Sequence, residues 1–198
     1  TVVKANLAIV VKTLNGLLAR AARLEAEQRG LDKIRFPAML TDRADDPEVR
    51  GVMASETKLF EVRVFGRAGQ KSQLRGRVSQ LNEEIAGLTA QEQAKDKEIA
   101  LVEKELVGVR QLYDQRLVQI SRLTTLERDM ARLSGERAQY IAARAQAKGK
   151  INELELQIIQ IDQELSSEVA KEMREIDGKI GEFIERKVTA EDQLRRID

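Results

Sequence analysis

The sequence contains no cysteine, no histidine and no tryptophan, and only 3% of its 198 residues are aromatic. Without cysteine, the chain can form neither a disulfide framework nor a thiolate metal site. Without histidine, it lacks imidazole metal ligands and the general base of Ser-His-Asp and Cys-His nucleophile systems. These absences exclude the most common hydrolytic and zinc-dependent enzyme sites from this chain.

Other features that are scarce exclude further classes of function. The net charge of +1 gives no basic excess for nucleic-acid binding. No run of about 18 uncharged apolar residues occurs, so no membrane-spanning helix is expected. Residues 66–77, GRAGQKSQLRGR, lack the spacing of a phosphate-binding loop, and residues 42–48, DRADDPE, lack the spacing of a calcium-binding loop. We therefore predict no enzymatic activity, no cofactor, no metal and no nucleic-acid partner.

The residues that are abundant are typical of long helices. Charged residues make up 34% of the chain and hydrophobic residues 42%, a composition that favours coiled coils. Apolar residues at alternating steps of four and three predict a first helix over about residues 2–29. Its seam consists of Val3, Leu7, Val10, Leu14, Leu17, Ala21 and Leu24. Gly30 is a stop signal, and residues 30–46 are predicted to be a loop.

Two longer helices are predicted after that loop. Asp46 and Pro47 suit the cap and the first position of a helix over about residues 47–115. A tip turn follows at about residues 116–120, and a third helix covers about 121–197, with its last seam position at Ile197. Both seams are irregular once: Arg67 and Lys71 fill seam slots of the second helix, and the third helix has a stutter from Leu165 to Met173.

Folding the chain back at the turn, near Val118, aligns the two irregular zones with each other. It also places the polar seam residue Glu92 opposite Arg144, which predicts a register-setting pair. The predicted fold is therefore all-α: a long antiparallel coiled-coil hairpin with an additional shorter N-terminal helix, three helices in total. The pattern leaves open whether the first helix lies beside the second or nearly in line with it.

The predicted turn combines arginine with apolar residues. The arginines and the apolar residues of this stretch are Arg110, Arg116, Arg122, Leu112, Leu117, Val118 and Ile120. Apolar side chains at an exposed hairpin end indicate a contact surface. The alternative is that Leu117 and Val118 only cap the end of the coiled coil.

Several segments resemble the helical hairpin of a HlyD-like membrane fusion protein, or periplasmic adaptor, of bacterial type I secretion systems. They are RLEAE (residues 23–27), PEV (47–49), SQLNEEIAGLTAQEQA (79–94), LYDQRLVQISRLTTLER (112–128) and LSGERAQY (133–140). The resemblance covers essentially the whole chain. It implies lipoyl, β-barrel and membrane parts outside this chain, an anchor in the inner membrane and a hairpin in the periplasm.

The resemblance also implies partners. An inner-membrane ABC transporter would bind through the other parts, a TolC-like outer-membrane channel would bind the tip, and six copies would assemble for export of unfolded protein. The family's tip motif matches Arg110 and Ser121, whereas its leucine slot holds Asp114 between Leu112 and Leu117. Arg116 stands where related proteins often have glycine. The expected docking residues are Arg110, Leu112, Arg116, Leu117, Val118 and Ser121. Two alternatives remain, a structural coiled-coil scaffold segment and a helical-hairpin chaperone.

Overall fold

The computed structural model describes residues 2–196, and within this range the chain forms helices and no strands. The helices are α1 (Val2–Arg29), α2 (Ala38–Thr41), α3 (Pro47–Asp114) and α4 (Ile120–Arg195). The predicted seam position Ile197 lies outside the described residues. Helix α3 and helix α4 pack as a hairpin, and α1 is the additional N-terminal helix. The fold class is thus the predicted all-α hairpin.

The segment predicted as a loop contains one short helix, α2, so the expectation of loop throughout residues 30–46 is corrected there. Four residues are too few to show helical periodicity in a sequence. At the start of the segment, Gly30 adopts φ +62°, and the Leu31 amide donates to the Ala26 carbonyl oxygen at 2.9 Å. At its end, Asp46 Oδ1 accepts the Glu48 amide at 2.9 Å, which is the predicted cap.

The contacts divide the chain into two compact units, one formed by the chain up to Lys71 together with the chain from Ile159 onward, and one formed by Ser72–Ile158. In the second unit, the buried core nearest the turn joins α3 to α4. Leu106 and Val109 of α3 pack against Leu126 of α4, and Val118 of the turn packs against this cluster. The hydrophobic seams predicted from sequence therefore face each other within a single chain.

In the first unit, α1 lies beside the start of α3 and runs parallel to it. Lys12 pairs with Glu48 at 2.7 Å, and Arg23 pairs with Glu56 at 2.6 Å. Later residues of α1 therefore pair with later residues of α3, as expected for parallel helices. Ala19 packs with Val49 and with Leu40 of α2. This arrangement resolves the alternative that sequence left open, because α1 lies beside α3 rather than in line with it.

The stutter of α4 lies where α1 packs on it. Leu24 of α1 is fully buried against Val169 and Ile176, with Leu165 and Met173 against the same cluster. The apolar stripe of α4 must face both α1 and α3 here, which a single heptad seam cannot do. The departure from heptad spacing therefore coincides with the packing of α1 on α4.

A buried ion-pair network joins α1, α3 and α4 in this unit. The Arg23 side chain is only 2% exposed; its Nε donates to Glu56 Oε2 at 2.6 Å and its Nη1 to Glu27 Oε1 at 2.8 Å. Burial lowers the pKa of Arg23. Its hydrogen bonds with Glu56 and Glu27 raise the pKa by more than burial lowers it, so the pKa lies above its ordinary value. Arg20 donates to Glu172 of α4 at 2.8 Å. Arg63 of α3 pairs with Glu168 of α4 at 2.8 Å.

Helix α1 is also long and apolar enough to cross a membrane, judged by length and composition, with a mean hydropathy of 1.4 in its most apolar window. The expectation of no membrane-spanning helix used a stricter criterion, a run without any charged residue, and α1 contains charged residues. Core helices of soluble proteins and signal sequences meet the same criterion. In the described structure, the buried face of α1 packs against the other helices of its unit.

We expect stability to be nearly constant from about pH 5.5 to 9 and to fall in acid, because the chain has no histidine. Burial raises the pKa of Glu172, but the hydrogen bond from Arg20 and the charges of Arg20, Arg23 and Arg63 hold it below its ordinary 4.5. A lowered carboxyl pKa stabilises the fold above the unfolded value, and that contribution is lost as pH falls through the folded value. Urea unfolding at a series of pH values measures this, and a stability change centred between pH 6 and 7 would contradict it.

Candidate docking surface at the hairpin turn

The turn between α3 and α4 is closed by backbone hydrogen bonds. The Arg116 amide donates to the Tyr113 carbonyl oxygen at 2.8 Å, and the Leu117 amide donates to the Leu112 carbonyl oxygen at 2.9 Å. This pair of bonds is the Schellman arrangement, whose reversal residue adopts a left-handed conformation and is usually glycine. Here it is Arg116, with φ +59°. Placing a residue with a side chain in this conformation costs roughly 1 kcal/mol.

The apolar residues of the turn divide into an inward and an outward set. Val118 is partly buried and packs against the core cluster of Leu106, Val109 and Leu126. Leu117 is 67% exposed, and Leu112, Tyr113 and Ile120 are exposed as well. Val118 therefore anchors the turn, as the capping interpretation expects, whereas Leu117 points to solvent. We define the tip surface as Leu112, Arg116, Leu117 and Ile120.

The arginines near the turn differ in whether they are paired. Arg110 Nη2 donates to Glu127 Oε1 at 3.1 Å, and Arg122 forms a hydrogen-bonded ion pair with Glu105, so both link α3 to α4. Within residues 2–196, the exposed Arg116 side chain has no hydrogen bond or ion pair. Ser121 is exposed in the first turn of α4, where its carbonyl oxygen accepts the hydroxyl of Thr125 at 2.8 Å. Arg110 is thus occupied by its pairing with Glu127, and Ser121 directly follows Ile120 of the tip surface in sequence.

The structure brings together Glu92 and Arg144, the pair predicted to set the register of the hairpin. Arg144 Nη1 lies 2.6 Å from Glu92 Oε2, and the two side chains are 29% and 12% exposed. Glu92 Oε2 is buried without a well-aligned hydrogen bond, so the contact is a close ion pair rather than a directed bond. Lys95 pairs with Glu136 of α4 at 2.8 Å nearby. A register-setting role for Glu92 and Arg144 stays a prediction.

The chemistry available at the tip is that of contact rather than of reaction. Among the described residues, no group of three or more acidic, cysteine or histidine side chains is placed to hold a metal ion. The tip surface offers aliphatic side chains and one unpaired guanidinium. Such a surface suits binding to an apolar site that also carries a hydrogen-bond acceptor or a negative charge.

A family model described as "AprE, long alpha-helical hairpin" matches residues 3–193. The chain belongs to this family. Among curated proteins, the type I secretion system membrane fusion protein PrsE of Rhizobium meliloti (strain 1021) is 42% identical over 198 residues. That alignment covers all of this chain and 45% of PrsE, so the chain spans less than half the length of this relative.

The AprE-type hairpin is also similar to a solved structure. The soluble domain of LipC, a membrane fusion protein of a type I secretion system, matches with a TM-score of 0.95. The match covers 99% of this chain and 92% of that chain at 19% identity, and it shows the fold. The resemblance inferred from the sequence motifs is thus confirmed for the family and for the fold.

Sequence reasoning on this AprE-type hairpin missed two features of the turn. The hydrophobic pattern of the turn gave no indication of which apolar side chains face outward, so Ile120, which is 53% exposed, was counted among the apolar residues of the turn but not among the expected docking residues. The left-handed Arg116 was also not predicted, because an arginine carries no signal for this conformation. The end of the helical pattern without glycine was the available indication.

Proposed function

We propose that this chain is the α-helical hairpin of a periplasmic adaptor in a type I secretion system, and that its tip surface docks onto a TolC-like outer-membrane channel. The role is mechanical and non-enzymatic: the tips of several copies insert at the end of the channel and favour its open state. Parts outside this chain contact an inner-membrane ABC transporter and anchor the protein in the inner membrane. The exported cargo is unfolded protein.

The exposure of Leu117 at the turn is the observation that carries this proposal. A leucine that is 67% exposed, in a turn where Leu112 and Ile120 are exposed as well, gains little from the chain's own fold. Membership of the hairpin family and the names of the relatives PrsE and LipC support type I secretion as the setting. Affinity at each tip would be low, and assembly of six copies would supply the strength through avidity.

The scaffold and chaperone alternatives differ from this proposal at the tip. A scaffold that dimerises through parallel seams needs its seams free for a second chain, but here the seam residues nearest the turn pack against each other within one chain. A chaperone with a client-binding tip would bind exported polypeptide directly and would not depend on the channel. Channel docking and the chaperone alternative are separated by measuring whether the purified full-length protein binds the channel or binds unfolded cargo.

We expect Leu117→Asp to lower secretion by about tenfold or more without reducing helical content, because a carboxylate is poorly accepted by an apolar site. The assay compares secreted cargo from cells that express full-length wild-type or variant protein at equal levels. Leu101→Asp is the matched control, because Leu101 is 70% exposed and lies on α3 away from the turn. Normal secretion by Leu117→Asp, or an equal loss in both variants, would refute docking through the tip.

A further inference from the structure

The left-handed conformation of Arg116 is held by two backbone hydrogen bonds of the turn, which do not depend on an arginine side chain. Glycine or asparagine would adopt φ +59° with less strain. Strained residues are held in place by the surrounding structure, and they cluster at functional sites. The Arg116 side chain is exposed, with no hydrogen bond or ion pair within residues 2–196. A structural contact therefore does not account for arginine at this position.

The other two arginines near the turn differ from Arg116 in being paired. Arg110 and Arg122 each pair with a glutamate across the two helices. Asp114 lies only two residues from Arg116, yet these two side chains form no ion pair. Of the three arginines of the turn, Arg116 alone presents its guanidinium unpaired, and it does so beside the exposed Leu117.

We propose that Arg116 is a specificity-determining residue of the tip, and that it binds a carboxylate that borders the apolar site receiving Leu117 on the partner channel. This inference rests on the proposed docking function. A guanidinium presents a planar fork of donors that matches a carboxylate in two parallel hydrogen bonds. The apolar contacts of Leu117 and Ile120 exclude water around that pair, which strengthens it. Leu117 thus supplies the buried area, and Arg116 selects a channel end that carries the acidic group.

The test uses three substitutions in the full-length protein, with purified TolC-like channel from the same organism as the probe. Arg116→Gly and Arg116→Asn remove the charge and suit the left-handed conformation, whereas Arg116→Lys keeps the charge without the fork. We expect the first two to weaken channel capture about tenfold and the lysine variant to be intermediate. Amide exchange at Leu117 should stay equal or become slower in the glycine variant, because the turn is relieved of strain.

Arg128→Gln is the matched control for loss of one positive charge, since Arg128 is exposed on α4 and lies outside the tip surface. Wild-type capture by Arg116→Gly while Leu117→Asp fails would overturn the role of Arg116 and leave the proposed function standing. Wild-type capture by both variants would refute the proposed function itself. Weaker capture by Arg116→Gly together with faster exchange at the turn would also overturn the inference, because Arg116 would then be a structural residue.

Discussion

Replacing Arg23 by methionine should destabilise the packing of α1 against α3 and α4 by about 3 kcal/mol, because the change leaves Glu27 as a buried carboxylate without its hydrogen-bonded partner. The Glu27 side chain is fully buried, and Arg63 and Arg67 approach its Oε2 only to 3.5 and 3.8 Å. These longer contacts keep the expected loss at the lower end of the range for a broken buried pair. Amide hydrogen exchange in the peptides of α1 measures the effect as a lower free energy of local opening.

Two further variants test the reason for that loss. Arg20→Met removes an arginine whose side chain is 45% exposed and should cost no more than about 1 kcal/mol. Arg23→Met combined with Glu27→Leu removes both buried charges and should recover much of the stability. If Arg23→Met leaves exchange in α1 unchanged, or if the double variant is less stable than the single one, the buried network does not hold the unit together.

Exchanging the charges of Glu92 and Arg144 should separate a specific pair from a general preference for charged residues. Glu92→Arg alone places two guanidinium groups together at a largely buried seam position and should cost about 2 kcal/mol. Arg144→Glu alone should cost a similar amount. The double exchange should recover at least half of the summed loss, which a double-mutant cycle reports as coupling energy. Urea unfolding of the four proteins, followed by circular dichroism, provides the values.

The matched control for this exchange is the pair Glu105 and Arg122. It also joins α3 to α4, but both side chains are about half exposed. Its single reversals should cost within about 1 kcal/mol, because exposed ion pairs contribute little. Equal effects at the two pairs, or no recovery in the Glu92–Arg144 double exchange, would remove the register-setting role.

The long helices and their pairing could be predicted because each depends on a repeated signal. Apolar residues recur every three or four positions over many turns, and two such seams that end at one turn can only face each other by folding back. The polar residues Glu92 and Arg144 could be matched for the same reason, since the seam fixes their positions along the helices. Short α2 offered no such repetition.

The packing of α1 depends on contacts that a single seam does not encode. Ala19, Ala22 and Ala26 form a second stripe of small buried residues, which lets another helix approach α1 on that side. That stripe was the available signal for a third helix beside α1. The charges of Arg23 and Glu27 suggest an ordinary exposed i, i+4 pair in sequence. Their burial follows only from the presence of α3 and α4 around them.

The turn illustrates a different limit, because it depends on backbone conformation rather than on composition. Leu117 and Val118 are adjacent and chemically alike, yet one is exposed and the other packs inward. The left-handed Arg116 directly precedes these two residues, of which Leu117 is the exposed one. A pattern of residue types contains no information on that choice, so the sequence located the tip without resolving its surface.

Photo-cross-linking from position 117 in living cells tests tip docking most directly. A photoreactive phenylalanine analogue replaces Leu117 in the full-length protein, and the same analogue replaces the equally exposed Leu101 as the control. We predict that irradiation joins the position-117 protein to the TolC-like outer-membrane channel and that position 101 gives no such product. Docking of the tip onto the channel would be contradicted by a channel adduct from position 101 but not from position 117. It would also be contradicted if position 117 gave no channel adduct in cells that secrete.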